Sequence, residues 1–277
     1  MKIYKTSTTV IIESNGAKYN AGSIDWDHLI NRDDLASHLA ILIKTSKEVS
    51  EQWFGEQILE APIETQEIWA AGVTYLRSRD ARMEESKDAG GGTFYDKVYA
   101  AERPELFYKG NKHRTVGPFG KVRIRKDSSW DVPEPELTLF MSSSGAIVGY
   151  TVGNDMSSRS IEGENPLYLP QAKVYDGCAG LGPCIYVPGK PIDEKALITL
   201  EIKRAGKSVF KDSISIDRMK RKHIELAAYL FMECSFPSGV FMMTGTGLVP
   251  PNDFTVTAGD EINITIEDIG TLVNIVA

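Results

Sequence analysis

The stretch from Pro133 to Asp155, PEPELTLFMSSSGAIVGYTVGND, limits the possible folds of this chain more than any other. Two strand-forming runs flank a Ser-Gly dipeptide, the pattern of a β-hairpin. With Ser144 and Gly145 as the two loop residues, Glu134 falls opposite Asp155. Directly paired residues of an antiparallel ladder share a face, and strand alternation brings Glu136 to that face as well. Three carboxylates then converge, and like charges this close repel unless they are protonated or share a cation. Hard oxygen donors suit Mg²⁺, with Mn²⁺ or Ca²⁺ as substitutes, and three of them leave room for water or a chelating substrate. The alternative is a solvated strand face with Asp155 capping a turn, because a one-residue change in the loop flips the register.

The rest of the chain frames this hairpin. It has 277 residues, 42% hydrophobic and 25% charged, which is enough for a full core with a small appendage. No window approaches a membrane span and the first residues carry no apolar leader, so a cytoplasmic protein with no membrane partner is expected. A formal charge of −7 and the lack of a long basic run argue against nucleic acid. That field also repels an anionic substrate, so capture of one requires local cations or a bound metal. Cys178, Cys184 and Cys234 show no C-x-x-C or zinc spacing and read as unpaired thiols.

Strand-like residues 8–12 and a helix-like stretch over 33–43 suggest a small α/β domain over residues 1–63. A buried-strand run over 68–73 opens the main domain, residues 64–277. Within it, residues 76–102 crowd Arg77, Arg79, Asp80, Arg82, Glu84, Glu85, Lys87 and Asp88 ahead of Gly90, Gly91 and Gly92. This composition suits a lid over a site, and equally a solvated surface helix followed by a loop. Beyond Leu106, short apolar runs alternate with turn signals, predicting a sheet-rich, largely antiparallel domain with one amphipathic helix around 218–234.

Several of these residues together resemble motifs of the fumarylacetoacetate hydrolase superfamily. They are Gly72-Val-Thr-Tyr75, Glu134-x-Glu136-Leu137, Gly153-Asn-Asp155-Met-Ser-Ser-Arg159, Lys173 and Thr244-Gly-Thr-Gly247, in the family's order. The resemblance implies an α+β, β-rich fold, a mixed β-sandwich roll behind the N-terminal domain. It also implies Mg²⁺ on Glu134, Glu136 and Asp155, Lys173 beside the metal, Thr246 holding a substrate carboxylate, and a homodimer or homotetramer. Physical chemistry is compatible: a Thr-Gly-Thr-Gly turn can aim backbone N–H groups at an anion, and a lysine can stabilise a developing enolate.

Carbon–carbon bond hydrolases of the superfamily carry a His and, three residues later, a Glu in the lid, where this chain has Ser78 and Ala81. Of its four histidines, His28, His38, His113 and His223, none falls in that segment. Water activation needs a base within hydrogen-bond reach. The short Ser142–Gly145 turn also replaces a helical insertion common in those hydrolases. With residues 75–82, 103–107 and 164–170, this looks most similar to the superfamily's sugar-acid dehydratases.

The expected substrate is therefore a small 2-keto acid, a 2-keto-3-deoxy pentonate, giving 2,5-dioxopentanoate after loss of a second water. Lys173 and Glu105 are the expected base and acid, in either order; Glu105 shares a strand face with Phe107, the alternative being a solvent-facing Glu at a strand start. Arg79 is the lid residue expected to reach the substrate. The rival readings are an acylpyruvate-type hydrolase using a different base and a non-catalytic protein with a structural cation.

Overall fold

The computed structural model describes residues 1–85 and 92–277. Its centre is the hairpin, with strands Asp131–Met141 and Ile147–Ser158, and almost every residue of both is buried. Such burial on both faces accounts for the apolar residues of the two strands, among which Glu134, Glu136, Asp155 and smaller polar residues such as Thr138, Asn154 and Ser157 are interspersed. Around them lies a sheet of eleven strands. One path through it runs Lys47–Val49, Ala17–Asn20, Val10–Ser14, Lys2–Lys5, Ala179–Tyr186, the two hairpin strands, Val240–Met243, Glu67–Gly72 and Glu105–Asn111, with Thr115–Val116 pairing off Ala179–Tyr186.

The strands of the first fifty residues thus continue the same sheet, joined by Lys2–Lys5 against Ala179–Tyr186. The sheet is mixed: Val240–Met243 runs parallel to Glu67–Gly72 and antiparallel to Asp131–Met141. A second sheet, ordered Lys207–Ser215, Leu197–Arg204, Glu261–Ile266, Gly270–Val276 and Lys121–Val122, covers one face of the first. Leu137, Leu139 and Val152 of the hairpin meet Ile198, Leu200, Ile262 and Ile264 in the core between the sheets. On the opposite face, Phe140 and Phe241 pack with Trp26, Leu29, Leu35 and Leu39 from helices Trp26–Ile30 and Leu35–Ile43. Glu134 and Glu136 alternate in step with Phe140, so they stand on this second face.

The hairpin register matches the expectation by a different route. Glu134 pairs with Asp155, and Gly153 with Glu136. The connection, however, comprises residues 142–146, closed by Ser142 N–H to the Ala146 carbonyl at 3.0 Å, and is not a two-residue turn. Ile147 opposite Met141 is one step out of that register, and an irregularity between Ile147 and Gly149 restores it. The N-terminal segment clamps this connection. Asn31 Oδ1 accepts from the Ser143 amide at 2.7 Å, and Asp33 Oδ1 accepts from the Ser142 and Ser144 hydroxyls at 2.5 and 2.7 Å.

The helix expected around 218–234 is shorter, His223–Leu230, preceded by a 3₁₀ turn, Ile216–Arg218. In the charged segment, helices Leu76–Glu85 and Gly92–Ala100 pack against each other. Lys87, Asp88, Gly90 and Gly91 lie outside the described residues, as do the side chains of Arg82, Glu84 and Glu85. No described helix is long and apolar enough to cross a membrane. Cys178, Cys184 and Cys234 are free thiols.

Candidate active site

Glu134 and Asp155 arrive as a directly paired couple of the hairpin and Glu136 two residues along the same strand, and all three are buried: Glu134 is 5% exposed, Glu136 2% and Asp155 1%. One oxygen from each lies within 4.8 Å of the others. Among the described residues this is the one acidic cluster with metal-ligating geometry. Burial, followed by the charges of Asp155 and Glu134, raises the Glu136 carboxyl well above its ordinary range.

Lys173, at the end of helix Leu169–Lys173, enters the same cluster. Its Nζ donates to Glu134 Oε2 at 2.6 Å, Asp155 Oδ2 at 3.1 Å and Ser157 Oγ at 2.5 Å, and lies 3.4 Å from Glu162 Oε1. Two further cations support the triad from behind. Lys109, fully buried, lies 2.5 Å from Asp155 Oδ1, while Arg159, 2% exposed, donates to Glu134 Oε1. Four carboxylates, Glu134, Glu136, Asp155 and Glu162, therefore face three cations, Lys109, Arg159 and Lys173. Among the described side chains the acids outnumber the cations, and burial, with the neighbouring charges of Asp155 and Glu134 added to it, favours the protonated form of Glu136.

The Thr-Gly-Thr-Gly segment closes one wall. Gly245 N–H donates to Glu136 Oε2 at 2.6 Å, and Thr246 lines the cavity with its hydroxyl tied to Leu248. Gly245 sits at φ +92°, where a Cβ would lie 2.0 Å from Thr74 Oγ1, so the turn admits only glycine without rearrangement. The other lining residues include Gly72, Val73, Ser78, Phe107 and Arg159. Val73 is a β-branched residue at φ +54°, a strained conformation of the kind that collects at functional sites. Tyr75 is 1% exposed, with no hydrogen-bond partner for its hydroxyl; burial and then the Glu136 charge push its pKa up.

The enclosed space at the triad is about 10 Å³, enough for one water-sized occupant. Larger cavities of about 530 and 590 Å³ lie elsewhere, one beside Lys5 and Trp26 and one beside Tyr150 and His223. Neither is lined by a triad carboxylate, and the chemistry concentrates in the small one.

Lys173 and Thr246 stand with the triad. Glu105 lies one layer out, its carboxylate packed over Gly72 on the cavity wall, while Phe107 from the same strand face lies 5.8 Å from Lys173 Nζ. Arg79 turns elsewhere: its guanidinium pairs with Asp80 at 2.7 Å and Asp96 at 3.5 Å and lies over the Tyr99 ring. Lys109 and Glu162 are neighbours of the triad that the sequence did not single out, and Arg159 entered only as the last residue of a motif, with no role attached. The signals were present. Glu105, Phe107 and Lys109 alternate on one strand face, and Arg159 and Glu162 are one helical turn apart.

This fold and site define a member of a known family. The model of the fumarylacetoacetate (FAA) hydrolase C-terminal family matches residues 68–277, and the chain belongs to that family. Among its relatives, a Haloferax volcanii protein named "Probable 2-keto-3-deoxyxylonate dehydratase" is 46% identical over 237 residues, covering 85% of this chain and 81% of that protein. The 2-dehydro-3-deoxy-D-arabinonate dehydratase of Saccharolobus solfataricus is 42% identical over 214 residues, covering 76% and 72%. A solved structure of 2-keto-3-deoxy-D-arabinonate dehydratase complexed with magnesium and 2,5-dioxopentanoate superimposes with TM-score 0.85 at 32% identity, covering 100% of this chain and 98% of that one.

Proposed function

We propose that this chain is a Mg²⁺-dependent dehydratase of a 2-keto-3-deoxy sugar acid, with Glu134, Glu136 and Asp155 as metal ligands. The observation that carries the reading is a buried carboxylate triad sharing a lysine, in a cavity with no histidine among its described lining residues. The residues fit a hard divalent ion: three oxygen donors, mutual repulsion that burial sharpens at Glu136, and space for one small occupant. The dehydratase relatives at 46% and 42% identity support the choice of reaction.

Held by Glu134, Glu136 and Asp155, Mg²⁺ would supply Lewis acidity that acidifies the C3 hydrogen of a bound 2-keto acid. Lys173 and Glu105 share the proton transfers, one removing the C3 proton and the other protonating the departing C4 hydroxyl. Ser157 Oγ and Glu162 Oε1 hold Lys173 Nζ in addition to Glu134 and Asp155, so they would keep it in place with a metal at the triad. Thr246, on the cavity wall, would meet the substrate carboxylate, while the Gly245 amide stays on Glu136. Substrate entry requires the cavity walls, including Ser78 and Thr246, to move apart, because a five-carbon acid exceeds the closed volume.

Atom balance corrects one expectation. A 2-keto-3-deoxy pentonate and 2,5-dioxopentanoate differ by one water, so no second dehydration occurs. The 5-hydroxy-3-enoate left by elimination becomes the aldehyde by moving a proton from C5 to C3 and tautomerising. No attacking water is needed, in keeping with Ser78 at the wall, its hydroxyl bonded to Tyr75, and Ala81 buried at the other dyad position.

The division at residue 63 belongs to the same proposal, supported by a family match that starts at residue 68. So do a cytoplasmic location and a homo-oligomer, the latter supported by exposed Ile58, Phe119 and Leu167, each more than 70% accessible. The test is incubation with Mg²⁺ and a panel of 2-keto-3-deoxy sugar acids, following aldehyde formation with and without EDTA. EDTA-sensitive aldehyde supports the reading; turnover of acetylpyruvate or fumarylpyruvate alone overturns it.

A further inference from the structure

We infer that three fixed groups behind the triad, an ion-paired lysine and two hydrogen-bond donors, make the site select Mg²⁺ against Ca²⁺, with Lys109 as the principal positioning residue. The inference rests on the triad being the metal site proposed above. Each carboxylate already has one oxygen engaged from outside the cluster. Asp155 Oδ1 lies 2.5 Å from Lys109 Nζ, Glu134 Oε1 accepts from Arg159, and Glu136 Oε2 accepts from the Gly245 amide at 2.6 Å.

None of these donors has freedom to withdraw. Lys109 is fully buried and also donates to the carbonyl oxygens of Met156 at 2.9 Å and Lys173 at 2.6 Å, so it ties the Lys173 backbone to Asp155. Arg159 is buried at the first turn of helix Arg159–Glu164, beside Glu162. The Gly245 amide is held by a backbone whose Cβ position is filled by Thr74 and the Ala71 carbonyl.

A carboxylate with one oxygen held in this way has only the other to turn to a metal, and on Glu134 and Asp155 that oxygen is the one Lys173 Nζ contacts and would have to share or release. Three residues would then supply three single-oxygen ligands. Mg²⁺ accepts one oxygen from each carboxylate in a small octahedral shell completed by water or substrate, whereas Ca²⁺ takes six to eight oxygens and commonly uses carboxylates bidentately. Bidentate binding here breaks a contact to Lys109, Arg159 or Gly245 and leaves that buried donor without its partner, an expensive exchange.

The test is calorimetric titration of the whole chain with MgCl₂ and, separately, CaCl₂, without substrate, on wild type, Lys109→Met and Arg159→Lys. Wild type is expected to bind Mg²⁺ at least about tenfold more tightly than Ca²⁺, and each variant to shrink that ratio by about tenfold, the size expected of outer-shell changes. Mere structural support would weaken both ions alike and leave the ratio unmoved. Equal affinities in wild type overturn the selectivity inference while leaving the metal site standing; binding of neither ion overturns the metal site itself. An unchanged ratio in variants with wild-type circular dichroism removes the donors as its cause. If Lys109→Met does not fold, Arg159→Lys carries this comparison.

Discussion

Replacing Gly245 with alanine joins the glycine-rich turn to both stability and metal binding, and its cost follows from the geometry. The added Cβ falls 2.0 Å from Thr74 Oγ1 and 2.9 Å from the Ala71 carbonyl, at φ +92°. Holding a side chain in that left-handed conformation costs about 1–3 kcal/mol. Thr74 Oγ1 donates to the Thr244 carbonyl at 2.7 Å, so relieving the overlap breaks a buried hydrogen bond. The net loss from such a bond is about 0.5–1.5 kcal/mol. Together these give roughly 1.5–4.5 kcal/mol, and at about 2–4 °C per kcal/mol a melting temperature lowered by roughly 3–18 °C.

Moving the backbone also withdraws the amide from Glu136, so Mg²⁺ affinity should fall by about 10–100-fold. Gly189→Ala is the control, since nothing lies within 4 Å of its Cβ position and its φ is ordinary. Differential scanning calorimetry and Mg²⁺ titration of the two variants check the argument. If Gly245→Ala matches Gly189→Ala in both measurements, the close approach and the amide contact do not matter and the reasoning is refuted.

Lys173→Met should lower kcat by about 10²–10⁴-fold, as expected for loss of a proton-transfer group, and lower the melting temperature in EDTA by removing the cation that Glu134 and Asp155 share, leaving them with Arg159 and Lys109. Added Mg²⁺ should recover much of that stability, and full activity on the substrate found would remove Lys173 from the chemistry. For pH, the Glu136 carboxyl is raised in the fold, so the folded metal-free chain holds its proton more firmly than the unfolded chain. Stability in EDTA should therefore fall as pH rises above the ordinary carboxylate value toward the raised one, and the gain from Mg²⁺ should grow over the same window; a flat difference between melts with and without Mg²⁺ contradicts this. Burial opposes ionisation of Asp260, but Arg204 and the Thr257 amide hold its carboxyl below its usual value, so its contribution is present above the unfolded value and lost as pH falls through the lowered one. Asp260→Asn should cost about 1–3 kcal/mol in urea unfolding at neutral pH and little at strongly acid pH.

The central pairing was legible because a period-2 pattern carries its own register once the loop is roughly located. The loop itself was misread, and a bulge near Val148 cancelled the difference, a feature with no marker beyond the small Gly149 beside it. Arg79 drew attention as one of many charges in a segment, yet the same density supplied Asp80 and Asp96 to pair with it. Lys109 was overlooked for the opposite reason. A lysine in an apolar strand reads as an edge charge until Asp155 and two carbonyl groups, far away in sequence, are seen to meet it. The parallel contact of Val240–Met243 with Glu67–Gly72 also left no local trace, since neither strand's composition names so distant a partner.

The most direct test is anomalous diffraction from crystals of the chain soaked in Mn²⁺, which replaces Mg²⁺ in an oxygen site. A single strong peak is expected beside one oxygen each from Glu134, Glu136 and Asp155, with Lys109 and Arg159 still on the opposite oxygens of Asp155 and Glu134. A triad without a peak, its carboxylates bridged by Lys173 as in the metal-free chain, would contradict the account.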